Sequence, residues 1–270
     1  MSPKYTPTLR YLYRTLLLLL LCSSLAFVGT SQNAPHAGGR GVLRLRARVK
    51  EGDATKGLAR KRFFLVKGTL EQNRSWLQEG QSLTKVSRDC YYRAAGASEE
   101  LISWLKENDC ESVYCREIRQ DELDGPKAVP EFRQAIQAGE SEFKKPDIAI
   151  KWLTVNLPTN VRDGFYRLNQ ERLRKLLTTA ESTSGAAVQS VMTDRNGTAY
   201  FTDLEPGSYV LTNLLPVEIQ SAFVSWNCEV QIKPGDIATE RPFLIMNRQE
   251  RNVKCVGVET PLPVCEVVPQ

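Results

Sequence analysis

Two short apolar runs joined by tight turns fill residues 192–211, and this segment constrains the fold more than any other part of the chain. Asp194 can accept hydrogen bonds from the backbone that follows it, and Asn196 with Gly197 tolerates the positive φ of a hairpin turn. Pro206 fixes φ at the corner of a second turn. The segment therefore predicts a compact β-meander.

Near the N-terminus, residues 42–50 alternate between apolar and basic side chains. One face carries Leu43, Leu45, Ala47 and Val49, and the other carries Arg44, Arg46, Arg48 and Lys50. Such alternation predicts a strand with one buried face. Residues 62–68 predict a second strand, but the next strand-like run begins only at residue 186. Residues 69–185 are therefore predicted to be an insertion.

Most of this insertion carries helix signals. Ser98 can cap a first helix, Pro130 can begin a second, and Asp147 can begin a third that stops at Pro158. Residues 162–179 predict a fourth helix, because their apolar side chains recur at three- and four-residue spacing. Apolar stripes need a partner surface, so we expect these helices to pack together or on the strands as a second lobe.

The meander also fits a longer pattern, T-D-x-x-G-x-x-x-F-x-x-L-x-P-G-x-Y. The matching residues are Thr193, Asp194, Gly197, Phe201, Leu204, Pro206, Gly207 and Tyr209. In this pattern the chain resembles the carboxypeptidase regulatory-like domain, a β-sandwich module related in shape to transthyretin and to adhesin repeats. The resemblance implies an α+β fold class, in which a seven-strand-type Greek-key β-sandwich is interrupted by a mainly α-helical insertion.

The resemblance and the helix signals together give a predicted domain map. It comprises a signal peptide at 1–31, a flexible linker at 32–41, a regulatory-like sandwich at 42–68 and 186–270, and the helical insertion at 69–185. We expect Phe64 and Tyr209 to lie in one hydrophobic interior, because both would belong to the sandwich.

The first residues have the layout of a signal peptide. Three basic residues and no acid precede an apolar run at 16–29, as is typical of such leaders. The run is shorter than the roughly 18 residues that cross a bilayer, so we expect cleavage after Ala26 or Ser31. The predicted localisation is periplasmic or secreted; the alternative is a membrane anchor formed by residues 15–29.

Removing the leader brings the chain close to neutrality. The 36 Lys and Arg fall by three to 33, against 31 Asp and Glu, so the net charge falls from +5 to +2. Nucleic acid is therefore not a predicted partner, because its recognition rests on a strongly basic surface. Membrane contact is expected only through the N-terminal segment, if it stays uncleaved.

Six cysteines remain beyond Cys22, and an even number in an exported chain predicts disulfides. They are Cys90, Cys110, Cys115, Cys228, Cys255 and Cys265. We expect local pairing, within the first three and within the last three, with a bond between Cys255 and Cys265 fixing the C-terminal tail. The spacing gives little support to a zinc site.

The chain has one histidine, His36, and it lies in the predicted linker. This excludes Ser-His-Asp and Cys-His catalysis, and neither a metal nor a cofactor is predicted. Carboxylate pairs such as Glu99 with Glu100 lie beside helix starts, where acids are favoured by the helix dipole. An enzyme would have to use carboxylates, lysine or tyrosine of the insertion.

The candidate binding residues are the four cations of the first strand, Arg44, Arg46, Arg48 and Lys50. Residues two apart in a strand share a face, so these side chains could together bind an anion, unless acids of a neighbouring strand neutralise them. The predicted function is a non-catalytic envelope protein that acts as a structural or interaction module. Its predicted partner is an envelope protein or an anionic glycan. The alternatives are a carbohydrate-binding module, which would need exposed aromatic rings, and an enzyme in the helical insertion.

Overall fold

The structure is a computed structural model that describes residues 39–83, 85–235 and 241–265. The predicted signal peptide, nearly all of the predicted linker and the possible anchor at 15–29 lie outside these ranges. The described residues combine helices with several mostly antiparallel sheets, which confirms the mixed α+β class. Among the described helices, none is long and apolar enough to cross a membrane.

Strands occupy both ends of the described chain. The strands of the first part are β1 Gly41–Glu51, β2 Ala54–Gly57 and β3 Arg62–Lys67. Those of the last part are β4 Gln189–Met192, β5 Thr198–Leu204, β6 Gly207–Thr212, β7 Val217–Ile219, β8 Ala222–Ser225, β9 Asn227–Ile232, β10 Phe243–Met246, β11 Cys255–Val256 and β12 Val258–Pro261. A single residue, Trp226, separates β8 from β9.

Strands from the two ends of the chain pair with each other. In a five-stranded sheet, β1 pairs antiparallel with β2 and β5 and parallel with β10, which in turn pairs with β11. A four-stranded sheet has the order β4-β3-β6-β9, and a three-stranded sheet has the order β12-β8-β7. Segments more than a hundred residues apart in sequence are thus neighbours within one sheet.

The strand β1 has the predicted alternation: its apolar side chains are buried and its basic ones are half-buried. The meander turn also forms as expected, because the Asp194 carboxylate accepts hydrogen bonds of 2.8 Å from the backbone N–H groups of Asn196 and Thr198. Gly197 has a φ of +75°, and a Cβ there would lie 2.0 Å from the carbonyl oxygen of Ala47. Only glycine fits this close approach of the turn to β1.

Side chains from the five-stranded and four-stranded sheets form one buried cluster, called here the sheet core. Leu45 and Phe201 come from the first sheet, and Phe63 and Leu211 from the second. The ring of Trp226 packs edge-on against Phe63 at 5.9 Å between centroids, and its Nε1–H donates to the carbonyl oxygen of Met246. The sheet core is therefore assembled from both ends of the described chain.

The expectation that Phe64 and Tyr209 share an interior is wrong. Tyr209 lies in the sheet core, whereas Phe64 lies in a second cluster, the junction cluster, with Trp76 and Leu176. The reason is that β3 is buried on both faces. Phe63 and Leu65 point into the sheet core, so the intervening Phe64 points to the opposite face, where helices cover it.

The helices fill most of the region between β3 and β4. They are α1 Arg74–Ser82, α2 Arg88–Ala94, α3 Glu99–Glu107, α4 Pro130–Phe143, α5 Pro146–Lys151, α6 Leu153–Asn156, α7 Thr159–Arg162 and α8 Gly164–Ser184, with 3-10 turns at Val113–Cys115 and Gln120–Glu122. Residues 88–165, called here the helical lobe, have their own buried cluster, the lobe core. The helices α1 and α8 pack on β3 and β6 through the junction cluster.

Local signals located α3, α4 and most of α8, but α1 and α2 were not predicted. Ser98 caps α3 by accepting a hydrogen bond from Leu101 N, and Pro130 is the first residue of α4. The third predicted helix is divided into α5 and α6 at Trp152. This side chain is 50% exposed, so apolar spacing overestimated the burial of this segment.

Two of the three disulfides are local, as expected: Cys110–Cys115 and Cys228–Cys255. The third is not, because Cys90 is bonded to Cys265, 175 residues away, so the prediction of a Cys255 to Cys265 bond is wrong. The strand β12 pairs with β8 and carries the tail away from β11 toward α2. Three disulfides indicate a protein that folds in an oxidising, non-cytoplasmic compartment.

Candidate functional site

The four predicted binding residues lie together on the outer face of β1 and are called here the basic stripe. Their side chains are half-buried, since β1 has neighbours on both sides within the sheet. Beside the stripe, Tyr200 stands opposite Arg44 on β5, and Leu244 stands opposite Arg46 on β10. The prediction that these four cations share one face is confirmed by their alternating burial.

One end of the stripe is neutralised. The Lys50 Nζ lies 3.0 Å from a carboxylate oxygen of Glu250. The side chain of Asn247 accepts from the backbone N–H of Lys50 and donates to its carbonyl oxygen. Lys50 is thus held in place by neighbouring segments, and its charge has a partner.

The three arginines of the basic stripe differ from Lys50 in the groups that surround their charges. The Arg44 guanidinium lies 5.9 Å from the centroid of the Tyr200 ring. Within the described ranges, Arg44, Arg46 and Arg48 form no ion pair, and the Nε atoms of Arg44 and Arg46 are enclosed with no hydrogen-bond acceptor. Within the described part of the chain, an acid neutralises the stripe only at Lys50, and this acid, Glu250, lies in the loop between β10 and β11 rather than in a neighbouring strand.

A large cleft lies between the helical lobe and the sheets, and sequence reasoning did not find it. Its volume is about 1130 Å³. Its walls come from the loop after β2, the segment from α3 to the first 3-10 turn, α8, and the segment around β7. No local pattern could have revealed this cleft, because its walls are far apart in sequence.

Charges on the described walls of the cleft nearly cancel. Eight basic and seven acidic side chains line it, and several are paired. The Lys61 Nζ donates to both carboxylate oxygens of Asp109, at 2.9 and 2.8 Å, and Asp89 lies within 4 Å of both Arg88 and Lys106. The cleft therefore has no strong field of one sign.

Two carboxylates in the cleft have raised pKa values. Desolvation by the surrounding protein raises the pKa of Glu111, although the side chain remains open to the cleft, and an interaction with Asn169 opposes this shift. Desolvation also raises the pKa of Glu218, whose carboxylate accepts from the backbone N–H of Arg88. The charge of Glu111 contributes to the shift at Glu218, so the two groups face the same region.

Two tyrosine rings at the cleft are exposed to solvent. Tyr114 is 53% exposed and Tyr166 is 44% exposed. Most other large aromatic side chains of the described chain are buried, including Trp76, Trp104 and Trp226. Sequence reasoning did not single out these two tyrosines, because nothing in their local pattern distinguishes them from buried aromatic residues.

Two acids near helix starts, Glu99 and Glu122, have structural partners. Glu99 forms an exposed ion pair with Arg93. Glu122 is only 2% exposed and bonds to the guanidinium of Arg116 and the backbone N–H of Arg119. Burial alone would raise the pKa of Glu122, but these bonds lower it to about 2. Both carboxylates therefore have cationic partners, Glu99 at the surface and Glu122 in the interior of the lobe.

Within the described residues, no group of three or more His, Cys, Asp and Glu side chains is placed to hold a metal ion. All six predicted disulfide cysteines are oxidised, so none is available as a thiolate ligand or nucleophile.

No protein-family model, no curated protein and no solved structure matches this chain. The resemblance to regulatory-like domains thus remains a prediction from the sequence.

Proposed function

We propose that this protein is an exported, non-catalytic interaction protein that binds an anionic glycan of the cell envelope through Arg44, Arg46 and Arg48. In this proposal the two main sheets form a Greek-key sandwich of the regulatory-like type, which serves as a rigid scaffold. The protein would act in the periplasm or after secretion. The observation that carries the proposal is the lack of an acidic partner for these arginines among the described residues.

The spacing of the three arginines suits a linear polyanion. Alternate residues of a strand are about 6.8 Å apart, which is close to the separation of successive charged groups along a phosphorylated or sulfated chain. Because Arg can donate two parallel hydrogen bonds to one phosphate or sulfate group, each guanidinium can bind one charged group. The Tyr200 ring beside Arg44 adds a flat surface for a sugar ring.

The test compares two variants with the same change in net charge. In the first, Arg44, Arg46 and Arg48 are replaced by Gln; in the control, the paired surface cations Arg40, Lys67 and Arg74 are replaced by Gln. Binding to dextran sulfate and to uncharged dextran is measured by calorimetry at about 0.1 M salt, where charges about 10 Å apart are largely screened.

We expect the first variant to lose at least tenfold in affinity for dextran sulfate and the control to lose less than twofold. Equal losses would show that net charge alone drives binding, and the proposal would then be wrong. Retention on isolated envelopes that depends on the arginines, without binding to dextran sulfate, would indicate an acidic protein as partner and would also overturn the glycan proposal.

A further inference from the structure

The cleft between the helical lobe and the sheets is a second concave surface, separate from the basic stripe on β1. A volume of about 1130 Å³ exceeds that of most sites for small metabolites and matches a ligand of several linked units. The cleft is partly open to solvent, and its walls include the loop after β2, the segment from α3 to the first 3-10 turn, α8 and the segment around β7. A chain-like ligand fits this shape best.

The charge of the walls restricts the ligand further. An ionic ligand would need charges of one sign, whereas the described walls carry eight basic and seven acidic side chains. The pairs that Lys61 makes with Asp109, and Lys56 with Glu51, already neutralise part of this set. A ligand without net charge loses the least hydration free energy here.

The polar groups of the cleft can both accept and donate hydrogen bonds. The carboxylates of Glu111 and Glu218 are acceptors, and the amide groups of Asn169 and Gln170 can do both. Glu218 has no ion-pair partner within 4.0 Å among the described residues, and its carboxylate accepts a hydrogen bond from the backbone N–H of Arg88. Hydroxyl groups, which donate and accept at once, are the natural complement of such a set.

The exposed rings of Tyr114 and Tyr166 give the cleft two aromatic contact surfaces. An aromatic face carries partial negative charge and attracts the weakly positive C–H groups that cover one face of a sugar ring. Both rings lie in the cleft and keep about half of their surface open to solvent. We infer that the cleft binds a neutral oligosaccharide, with these two tyrosines as stacking platforms and with Glu111 and Glu218 accepting hydrogen bonds from its hydroxyl groups.

The experiment uses three uncharged hexasaccharides as probes: those of glucose linked as in starch, of glucose linked as in cellulose, and of N-acetylglucosamine linked as in chitin. Binding to the full chain is measured by isothermal titration calorimetry. The variants are Tyr114→Ala and Tyr166→Ala, each with a Tyr→Phe partner that retains the ring. The control is Trp152→Ala, which removes a ring with 50% exposure from the helical lobe, outside both the cleft and the basic stripe.

We expect at least one hexasaccharide to bind and both cleft Tyr→Ala variants to weaken it at least tenfold. The Tyr→Phe variants should stay within about threefold of the unmodified chain, because they retain the stacking face. Binding should be unchanged in Trp152→Ala. The absence of binding by all three hexasaccharides, or an equal loss in the control, would overturn the inference.

Failure of this inference can be distinguished from failure of the proposed function. The variant with Gln at positions 44, 46 and 48 should bind the neutral hexasaccharide as the unmodified chain does, and Tyr114→Ala should bind dextran sulfate normally. Chromatography of the sugars after titration shows whether they were cleaved. Cleavage would contradict the non-catalytic role but would support the cleft as a saccharide site.

Discussion

The sheet core and the lobe core are both well packed, yet they are assembled from very different parts of the sequence. Residues of the sheet core range from Leu43 to Ile245, whereas those of the lobe core all lie between Tyr92 and Phe165. The lobe can form from one continuous segment, but the sheets require both ends of the described chain. The disulfide between Cys90 and Cys265 links the lobe covalently to the C-terminal tail that follows the sheets.

The largest expected effect comes from that disulfide. Replacing Cys90 and Cys265 by Ser should lower the free energy of unfolding by about 5 kcal/mol, because the bond closes a loop of 175 residues in the unfolded chain. Replacing Cys110 and Cys115 by Ser should cost only about 2 kcal/mol, since that loop spans five residues. Urea unfolding followed by circular dichroism measures both values. Equal losses would contradict the dependence on loop length.

The next largest effect is expected from a substitution at Trp226, which tests whether the sheet core unfolds separately from the lobe core. Trp226 is fully buried, so Trp226→Ala should cost about 3 to 5 kcal/mol through the cavity it leaves. Trp152→Ala, at a position with 50% exposure, should change stability by less than about 0.5 kcal/mol. Urea unfolding gives the totals, and hydrogen exchange locates the change.

In Trp226→Ala we expect faster hydrogen exchange in β6 and β9, with much smaller changes in α3 and α4. Equally faster exchange in the helices would show that the two cores unfold as one unit. The two cores would then differ in how they are assembled from the sequence, but not in how they respond to a loss of packing.

The smallest of the three effects concerns an ion pair in the lobe. Glu122→Gln should cost about 1 to 3 kcal/mol at neutral pH, because a buried carboxylate that bonds to Arg116 and Arg119 is lost. The matched control is Glu205→Gln, which removes an exposed pair with Lys67 on the sheet side. We expect no measurable change there, because exposed ion pairs contribute little.

The sign of the pH dependence follows from the pKa of Glu122. Its folded value of about 2 lies below the value of roughly 4.3 in an unfolded chain. The stabilisation is therefore complete above about pH 4.3 and is lost as the pH falls toward 2. Thermal unfolding at several pH values should show the difference between Glu122→Gln and the unmodified chain shrinking over this interval. A constant difference would contradict the assignment.

Structural features that depend on a short segment of one strand, helix or turn were predicted correctly from the sequence. The alternation along β1, the cap at Ser98 and the helix start at Pro130 each depend on a few neighbouring residues, and each is found in the structure. The Asp194 turn belongs to the same group. These features could be predicted because the hydrogen bonds or side-chain periodicity behind them lie within a short segment.

Features that depend on distant packing were missed. Because β3 is buried on both faces, Phe64 lies in a different cluster from Tyr209. Because β12 runs toward α2, Cys265 lies close enough to bond to Cys90. The cleft was missed for the same reason, since Glu111 and Glu218 meet only after the lobe and the sheets are in place. Hydrophobic pattern shows that a residue is buried, but not which of several apolar surfaces covers it.

The position of β1 in its sheet also has a consequence for the order in which the protein can mature. The first strand of the described chain needs partners at residues 198–204 and 243–246. During synthesis, β1 must therefore stay unpaired on those two sides until residues 243–246 have left the ribosome. Until then the apolar side of β1 lacks its partners in the sheet core and remains accessible to chaperones.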